Sequence, residues 1–380
     1  MSVSSSRRED VTRGDPISVL VTAIGGVGYG EQILKALRLV GGYSIVGGDV
    51  DPSCSNFALV DHPVVLPVAS DPEYLDAVLA VCRAFEVQAV FNGCEPELRV
   101  LSEGRDRLEE AGLFVPMCPR NVIDVCMDKR RTMSFLQDHG FGHPRVTTLA
   151  PDQIDEVDLF PVVLKPAVGG GGSADCYLAQ TPRELALVAE LIGERSSDMI
   201  VQEYVGRPDT EFTVGVLHDM DGNFLNSIAV RREFVSPLNV RLRVPNRTGR
   251  DDLGDTLLIS SGFSQGTVGR FPEVTGPCER LAVALGVRGA VNIQCRVDDE
   301  GPKVFEINPR FSGTTSLRAM VGYNEPDVLV RRHLLGERIE PRFPYESRRI
   351  HRSLLESFVP DGPAPSWERV WTEPYVTAPG

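Results

Sequence analysis

The amino-acid sequence predicts a mixed α/β fold, in which an N-terminal doubly wound parallel sheet is followed by a second unit of α+β character. Its length, 380 residues, exceeds what one hydrophobic core typically serves, so more than one domain is expected. In the first third of the chain, short apolar runs alternate with helical patterns, which is typical of a parallel sheet. Farther along, apolar runs of strand length follow one another directly, which indicates antiparallel pairing.

The first unit is expected at residues 16–118, after a Ser- and Arg-rich segment at residues 1–15 whose lack of periodicity predicts a disordered tail. Each predicted helix follows a strand, as a doubly wound sheet requires. Strands are predicted at Ile17–Ile24, Ser44–Gly48, Ala89–Phe91 and Phe114–Pro116, and helices at Glu31–Val40, Glu73–Phe85 and Pro96–Ala111.

The second unit is expected at residues 119–340, and a Pro-punctuated extension follows at residues 341–380. Residues 236–273 are rich in Gly, Pro, Arg and Ser, so a long loop is expected there. Strands are predicted at Pro161–Pro166, Met199–Val205, Glu211–His218, Phe224–Arg231, Ala290–Val297 and Lys303–Ile307, and helices at Asp128–His139, Pro182–Leu191 and Gly276–Leu285.

Composition excludes several classes of partner. A formal net charge of -14 would repel a phosphate backbone, so no nucleic acid is expected to bind. No apolar run approaches the length of a membrane span, so no membrane is expected as partner. The eight Cys residues form no CxxC pair, which favours free thiols and a cytoplasmic location.

A glycine-rich turn, Gly25–Gly30, follows the first strand and opens a helix, as a dinucleotide-binding turn does. The G-x-G-x-x-G frame fails, because the third position is Glu31 when counted from Gly26 and Ile33 when counted from Gly28. Free N–H groups at a helix start can still bind an anionic substrate group. Tight packing is the alternative function of these glycines. No P-loop motif occurs, so that class of nucleotide-binding protein is disfavoured.

Three oxygen-bearing side chains are candidates for metal ligation. Glu306 and Asn308 are two residues apart on a strand and therefore share a face, and Gln294 lies on the strand before them. Carboxylate and amide oxygens suit Mg²⁺, which shares its shell with nucleotide phosphates. Arg310 could neutralise charge on a transferred phosphoryl group. Ordinary ion pairs at a strand end are the alternative reading.

Two lysines and a run of glycines are candidates for phosphate binding. Lys165 ends an apolar strand just before Gly169–Gly172, and Ser173 follows. A mobile loop whose N–H groups close over phosphates explains why so many consecutive glycines are tolerated. Lys129, at a helix start, is a second candidate cation, with a solvated surface charge as its alternative.

The segment QEYV at residues 202–205 is a candidate hinge that could pair with an adenine edge. A carboxylate shortly after it could accept ribose hydroxyls. Asp209 and Glu211 both fit that position, and the sequence leaves the choice between them open.

In this order, the motifs around Lys129, Lys165-Pro166, GGGGS, QEYVG, Gln294 and EINPR resemble the ATP-grasp superfamily, in particular the branch of the carbamoyl-phosphate synthetase large subunit and biotin carboxylase. The resemblance covers residues 17–335 and implies a pre-ATP-grasp Rossmann-like domain at 16–118, then a two-lobed ATP-grasp domain at 119–340 whose lid lobe spans about 130–205. It implies ATP as cofactor with Mg²⁺, for which Mn²⁺ could substitute. The nucleotide-binding residues that it implies are Lys129, Lys165, Gly170, Gly171, Gly172, Ser173, Gln202, Glu203, Tyr204, Val205, and Asp209 or Glu211. The implied metal ligands are Gln294, Glu306 and Asn308, and the implied catalytic residues are Arg310 and Lys165.

The expected reaction is ligation of a carboxylate to an amine through an acyl phosphate, with release of ADP and phosphate. The alternatives are release of a free acyl or carbamoyl phosphate, and a non-catalytic ATP-binding module. Small, amino-acid-like carboxylates and amines are the expected partners, and a homodimer is left open. Candidate substrate-binding residues are Gly26, Gly28, Glu95, Glu97, Arg231, Arg241 and Arg243, of which the arginines could instead be solvated charges.

Overall fold

A computed structural model describes residues 15–26, 28–148, 157–169, 173–193, 198–354 and 364–369. The tail predicted at residues 1–15 lies, except for Asp15, outside the described residues. So do Gly170, Gly171 and Gly172.

The N-terminal unit contains a four-stranded parallel sheet in the order β3-β2-β1-β4. Alternate strand residues pack on opposite faces, one against α1 and the other against α2, so helices cover both faces as predicted for a doubly wound sheet. Its elements are β1 (Ile17–Val21), α1 (Gly30–Val40), β2 (Tyr43–Asp49), β3 (His62–Val65), α2 (Tyr74–Ala84), β4 (Ala89–Phe91), α3 (Glu95–Glu103), α4 (Arg105–Glu110) and α5 (Arg120–Cys126).

The helix predicted at Pro96–Ala111 is in fact two helices that meet at Gly104. A Cβ at this glycine would lie 2.4 Å from the side chain of Leu75. The chain therefore turns at a residue that lets the neighbouring helix pack closely.

A four-stranded antiparallel sheet in the order β5-β8-β6-β7 forms the next layer. Its apolar side packs against α7 around Leu164, Leu185 and Val201. Its elements, with the helix that precedes them, are α6 (Lys129–Asp138), β5 (Val146–Thr148), β6 (Val162–Pro166), β7 (Tyr177–Ala179), α7 (Pro182–Ile192) and β8 (Met199–Glu203).

The largest sheet has six antiparallel strands in the order β15-β14-β9-β10-β13-β16, and α8 packs on one face of it. Its elements are β9 (Glu211–His218), β10 (Phe224–Arg232), β13 (Gly266–Gly269), α8 (Pro272–Leu285), β14 (Ala290–Asp298), β15 (Gly301–Asn308), α9 (Thr315–Met320), α10 (Glu325–His333) and β16 (Arg348–Ile350). The fold class predicted from the sequence is therefore confirmed.

The long loop predicted at residues 236–273 is wrong. This segment contains the hairpin of β11 (Val240–Pro245) and β12 (Thr256–Ser260), and β13 joins the large sheet. Apolar and charged residues alternate in β11, and β12 contains the buried apolar run at residues 257–259; both patterns favour strands, and the many turn-forming residues lie between them. The extension at 341–380 also contributes a strand, since β16 pairs with β13.

Candidate active site

A cleft lies between the four-stranded antiparallel sheet and the six-stranded sheet. Side chains from both sheets, from α6 and from β12 line it. The lining residues are Lys129, Val163, Lys165, Pro166, Ser173, Cys176, Gln202, Glu203, Tyr204, Val205, Glu211, Leu258, Ile259, Ser260, Gln294, Arg296, Phe305 and Glu306.

The three predicted oxygen ligands are brought together on one face of the large sheet. Gln294 on β14 stands directly opposite Glu306 on β15, and paired residues of an antiparallel ladder share a face. Asn308 Nδ2 donates a hydrogen bond of 3.2 Å to Glu306 Oε1. In the described part of the chain, no group of three or more His, Cys, Asp or Glu could hold a metal. Any ion here would therefore be held by one carboxylate together with amides.

Asn292, which stands opposite Asn308, and the buried Arg318 lie next to these ligands. Asn292 Oδ1 accepts hydrogen bonds from Thr213 Oγ1 at 2.8 Å and from Arg318 Nη2 at 2.6 Å. Arg318 is fully buried and forms an ion pair of 3.0 Å with Glu325. A Cβ at Gly215 would fall 2.3 Å from the Arg318 guanidinium, so this position requires glycine.

Both predicted lysines lie beside the carboxylate of Glu306. Lys165 Nζ donates to Phe305 O at 3.0 Å, and Lys129 Nζ donates to Gly169 O at 2.7 Å. Burial lowers the pKa of Lys165 to about 8, and the like charge of Lys129 adds to this effect. Burial alone would raise the pKa of Glu306, but the two lysines hold it below the usual value. The site therefore carries an excess of positive charge.

The predicted glycine loop is described only at its two ends. Gly169 and Ser173 both have positive φ, at 77° and 64°. Ser173 Oγ donates to Ser260 O at 2.7 Å, which joins the end of the loop to β12 on the far side of the cleft.

The predicted hinge crosses the back of the cleft. Gln202 is buried, and its Nε2 lies 3.8 Å from Met133 Sδ. Glu203 Oε2 accepts from the N–H of Arg145 at 3.2 Å. The Tyr204 hydroxyl accepts a hydrogen bond from the N–H of Leu258 at 2.8 Å. The N–H of Val205 has no partner among the described residues and is available to a ligand.

The two candidate ribose acids differ in environment. Glu211 is 1% exposed, and Arg232 Nη1 and Arg296 Nε donate to its two oxygens at 2.8 and 2.9 Å. Asp209 has a side chain that is 74% exposed and pairs with Arg207 at 3.4 Å. Two buried arginines thus already neutralise Glu211, while Asp209 lies on the surface next to the hinge.

Two residues of the N-terminal unit contact the guanidinium of Arg310. Its Nη2 donates to Glu95 Oε1 at 2.9 Å and to Asn308 Oδ1 at 3.1 Å, and its guanidinium lies 4.4 Å from the ring centroid of Tyr29. Burial would lower the pKa of Arg310, but Glu95 and Tyr29 raise it above its usual value. The arginine is held charged between the predicted metal face and the N-terminal sheet.

Glu97 was a candidate substrate-binding residue, but its side chain is buried and does not face a ligand site. It is 4% exposed, and its Oε2 accepts from Thr22 Oγ1 at 2.6 Å and from the N–H of Gly93 at 3.0 Å. Burial raises its pKa. Its position beneath the loop after β4 leaves no open face for a substrate ammonium group, so Glu97 has a structural role.

The glycine turn packs closely against the loop after β4. The N–H groups of Tyr29 and Gly30 both donate to Gly93 O, at 2.9 and 3.1 Å, and so are not free for an anion. A Cβ at Gly28 would lie 2.4 Å from the same oxygen. Gly26 has φ of 83° with no heavy atom within 4 Å of a Cβ, so glycine is needed there for backbone geometry.

The three candidate arginines do not form one cluster. Arg231 is exposed, with its guanidinium 5.9 Å from the ring of Phe271. Arg243 is exposed and donates to Phe234 O at 2.8 Å. Arg241 is also exposed, but its positive charge acts on the thiol of Cys176, which lines the cleft: burial raises the pKa of this thiol, and Arg241 opposes that effect. Of the three, Arg241 is the one related to the cleft.

Sequence reasoning missed several residues that line the cleft, among them Arg296 and the residues of β12. Arg296 follows Gln294 by two residues, so strand alternation could have placed it on the same face. Leu258–Ser260 lies within the segment that was predicted to be a loop.

No helix in the described residues is long and apolar enough to cross a membrane.

Comparison with known proteins agrees with this architecture. A family model described as PylC-like, N-terminal domain matches residues 19–116, and one described as ATP-grasp in the biosynthetic pathway with Ter operon matches residues 260–352.

Carbamoyl phosphate synthase large chains are among its curated relatives. The protein of Thermoplasma volcanium is 20% identical over 93% of this chain and 35% of its own length. That of Rubrobacter xylanophilus is 25% identical over 89% of this chain and 31% of its own length. The chain thus spans about a third of the length of these relatives.

Solved structures show the same fold at low identity. The biotin carboxylase domain of the Hydrogenobacter thermophilus 2-oxoglutarate carboxylase, in complex with MgADP and bicarbonate, superposes with a TM-score of 0.59 at 17% identity, covering 87% of this chain and 72% of that one. N5-carboxyaminoimidazole synthetase from Staphylococcus aureus, complexed with ADP, gives 0.59 at 13%, covering 88% and 80%. L-amino acid ligase from Bacillus licheniformis gives 0.57 at 18%, covering 85% and 74%. The resemblance noted in the sequence is confirmed: the family models, the relatives and the solved structures support an ATP-grasp unit in this chain, and residues 19–116 match a PylC-like N-terminal domain.

Proposed function

We propose that the chain is an ATP-dependent carboxylate–amine ligase that forms an acyl phosphate and releases ADP and phosphate. The observation that carries this proposal is the oxygen set of Gln294, Glu306 and Asn308, which stands beside Lys129 and Lys165 in one cleft. Positive charge next to a hard-oxygen set suits a nucleotide triphosphate with Mg²⁺.

The donor chemistry fits Mg²⁺, with Mn²⁺ as a substitute. Glu306 Oε1 accepts a hydrogen bond from Asn308, which leaves Oε2 without a hydrogen bond in the described residues. The side-chain amide of Gln294 likewise has no hydrogen bond to these residues. These oxygens would hold the ion, with Asn308 contributing its own after a change of amide orientation. Bound there, Mg²⁺ would neutralise charge on the terminal phosphates.

The remaining cleft residues bind and orient the nucleotide. We propose that the free N–H of Val205 pairs with the adenine edge, alongside Gln202, Glu203 and Tyr204. Lys129 and Lys165 would bind phosphate oxygens, and the segment 169–173 would cover them. Asp209 and Glu211 both remain candidates for the ribose.

Arg310 is proposed to stabilise the phosphoryl group during transfer to the substrate carboxylate. Its position between Asn308 and Glu95 puts it at the junction with the N-terminal unit, where an acceptor could reach the same point. An amine then attacks the acyl carbonyl carbon, the bond to the phosphate oxygen breaks, and inorganic phosphate leaves. Exclusion of water by the cleft walls would protect the acyl phosphate.

Amino-acid-like carboxylates and amines are the proposed substrates, since a relative with this fold is an L-amino acid ligase. We also propose a cytoplasmic location, supported by eight cysteines that are all free. A homodimer stays a prediction.

The test is a panel of amino acids and amines incubated with ATP and Mg²⁺, with ADP release as readout and hydroxylamine to trap an acyl phosphate. Glu306→Ala is expected to abolish substrate-dependent ADP release. Glu300→Ala, an 80% exposed carboxylate on the same hairpin, is the matched control and should retain it. ADP release that needs a carboxylate but no amine would favour a free acyl phosphate as product. Nucleotide binding without turnover of any substrate would favour a binding module.

A further inference from the structure

Arg352, in the C-terminal extension, lies at the junction between the two units. Arg352 follows β16, and its Nη2 donates to Gln32 Oε1 of α1 at 2.8 Å. The same nitrogen donates to Gly313 O and to Ser316 Oγ, the latter at 3.3 Å. Arg352 therefore bridges the N-terminal unit and the loop that follows Arg310.

All of these acceptors are neutral. In the described ranges, no carboxylate lies within ion-pair distance of Arg352, whereas its neighbour Arg349 pairs with Glu233 at 2.6 Å. Burial lowers the pKa of Arg352 to about 10, with Glu31 opposing and Arg232 adding to the effect. A partly buried cation without a counter-ion is costly, and a bound anion would offset that cost.

The guanidinium also has donors to spare. Every hydrogen bond from the Arg352 side chain uses Nη2, so Nε and Nη1 have no acceptor among the described residues. Each of these nitrogens can donate a charge-assisted hydrogen bond to a carboxylate or a phosphate oxygen, and because Nε–H and Nη1 point to opposite sides of the planar group, one anion binds one of them. The ring of Phe263, 5.5 Å from the guanidinium, forms an apolar wall beside it.

The position relative to the reaction centre makes this arginine useful. Gly313, which Arg352 touches, is three residues after Arg310, and three residues span at most about 11 Å. A small molecule whose anionic group rests on Arg352 could therefore extend towards Arg310.

We propose that Arg352 forms an anion-binding subsite at this junction, which takes the carboxylate or phosphate group of a small-molecule substrate. The assignment of the ligand as a substrate rests on the proposed function, whereas the anion subsite itself does not. It gives the C-terminal extension a direct part in substrate recognition.

The test titrates acetate and inorganic phosphate, each at constant ionic strength, into the full chain saturated with ADP, and follows the midpoint of thermal unfolding. Saturating ADP occupies the nucleotide cleft except for the position of the terminal phosphate, and the comparison with Arg352→Gln separates phosphate bound there from phosphate bound at Arg352. The wild type should be stabilised by at least one probe, acetate marking a carboxylate and phosphate a phosphate ester. Arg352→Gln should weaken that apparent affinity at least tenfold.

Arg348→Gln is the matched control, because Arg348 lies on the same strand segment with a side chain that is 67% exposed. It should respond as the wild type does. If Arg352→Gln does not fold, Arg352→Lys keeps the charge but loses the spare Nε and Nη1 donors, and it should weaken the affinity several-fold. No stabilisation of the wild type, or equal stabilisation of wild type and Arg352 variants, would overturn the proposal. The titration repeated without nucleotide separates failure of ADP binding from failure of the anion subsite.

Discussion

Replacement of Glu211 by glutamine should destabilise the protein strongly, because its carboxylate neutralises two buried guanidinium groups. Arg232 and Arg296 are 4% and 6% exposed, and both bond to Glu211 at less than 3 Å. Removing one partner of a buried ion pair leaves an uncompensated charge and costs about 3–5 kcal/mol. A typical domain has only about 5–15 kcal/mol of stability in total, so the loss should be large.

The sign of the pH dependence follows from the same contacts. Burial would raise the pKa of Glu211, but Arg296 and Arg232 hold it below the ordinary value of 4.5. A carboxyl group with a depressed native pKa contributes stability that is fully present above 4.5 and is lost as pH falls through the native pKa. The difference between wild type and Glu211→Gln should therefore be constant near pH 7 and shrink only in acid.

Urea denaturation at pH 7 measures this difference, and Asp209→Asn is the control. Asp209 makes an exposed pair, so its replacement should cost less than about 1 kcal/mol. The reasoning would be refuted if Glu211→Gln were as stable as the control and bound ATP more weakly. That result would make Glu211 a ribose ligand.

Three further outcomes are expected. The stability of the ligand-free wild type relative to Lys165→Met should rise by up to roughly 3 kcal/mol between pH 8 and 10.5, because burial lowers the pKa of Lys165 to about 8. Urea titrations of both proteins measure this difference, in which the titration of the buried thiols cancels, and a difference that does not change with pH would contradict the burial argument. Glu95→Gln should lower kcat about tenfold with the KM for ATP unchanged, because Arg310 loses its ionic partner; equal changes in both constants would argue against a positioning role. Gly28→Ala should lower the free energy of unfolding by about 1–3 kcal/mol, because its Cβ would lie 2.4 Å from a main-chain oxygen. Gly276→Ala in helix α8 should raise the free energy of unfolding by up to about 1 kcal/mol. Urea midpoints that shift in the same direction in both variants would refute this contrast.

Local sequence patterns predicted most of the fold because apolar periodicity reflects which faces are buried. Short apolar runs that alternate with helical patterns predicted the parallel sheet, and the spacing of Glu306 and Asn308 placed both on one face. The hairpin at Val240–Ser260 was missed because turn-forming residues outnumber the short apolar alternation within it.

Side-chain partners that are distant in sequence could not be predicted. Arg310 meets Glu95 across 215 positions, and Arg352 meets Gln32 across 320. These contacts depend on how the two units pack, which local patterns do not encode. The same applies to Glu97, whose acidic character suggested a ligand site although the packing of Thr22 and Gly93 buries it.

The most direct test of the account is the effect of Mg²⁺ on ATP affinity in the wild type and in Glu306→Ala, measured by titration calorimetry. If Gln294, Glu306 and Asn308 hold the ion on the terminal phosphates, Mg²⁺ should raise the ATP affinity of the wild type at least tenfold. Glu306→Ala should lose this enhancement while binding metal-free ATP as well as the wild type or better, since a negative charge is removed. An Mg²⁺ enhancement that survives in Glu306→Ala would contradict the account.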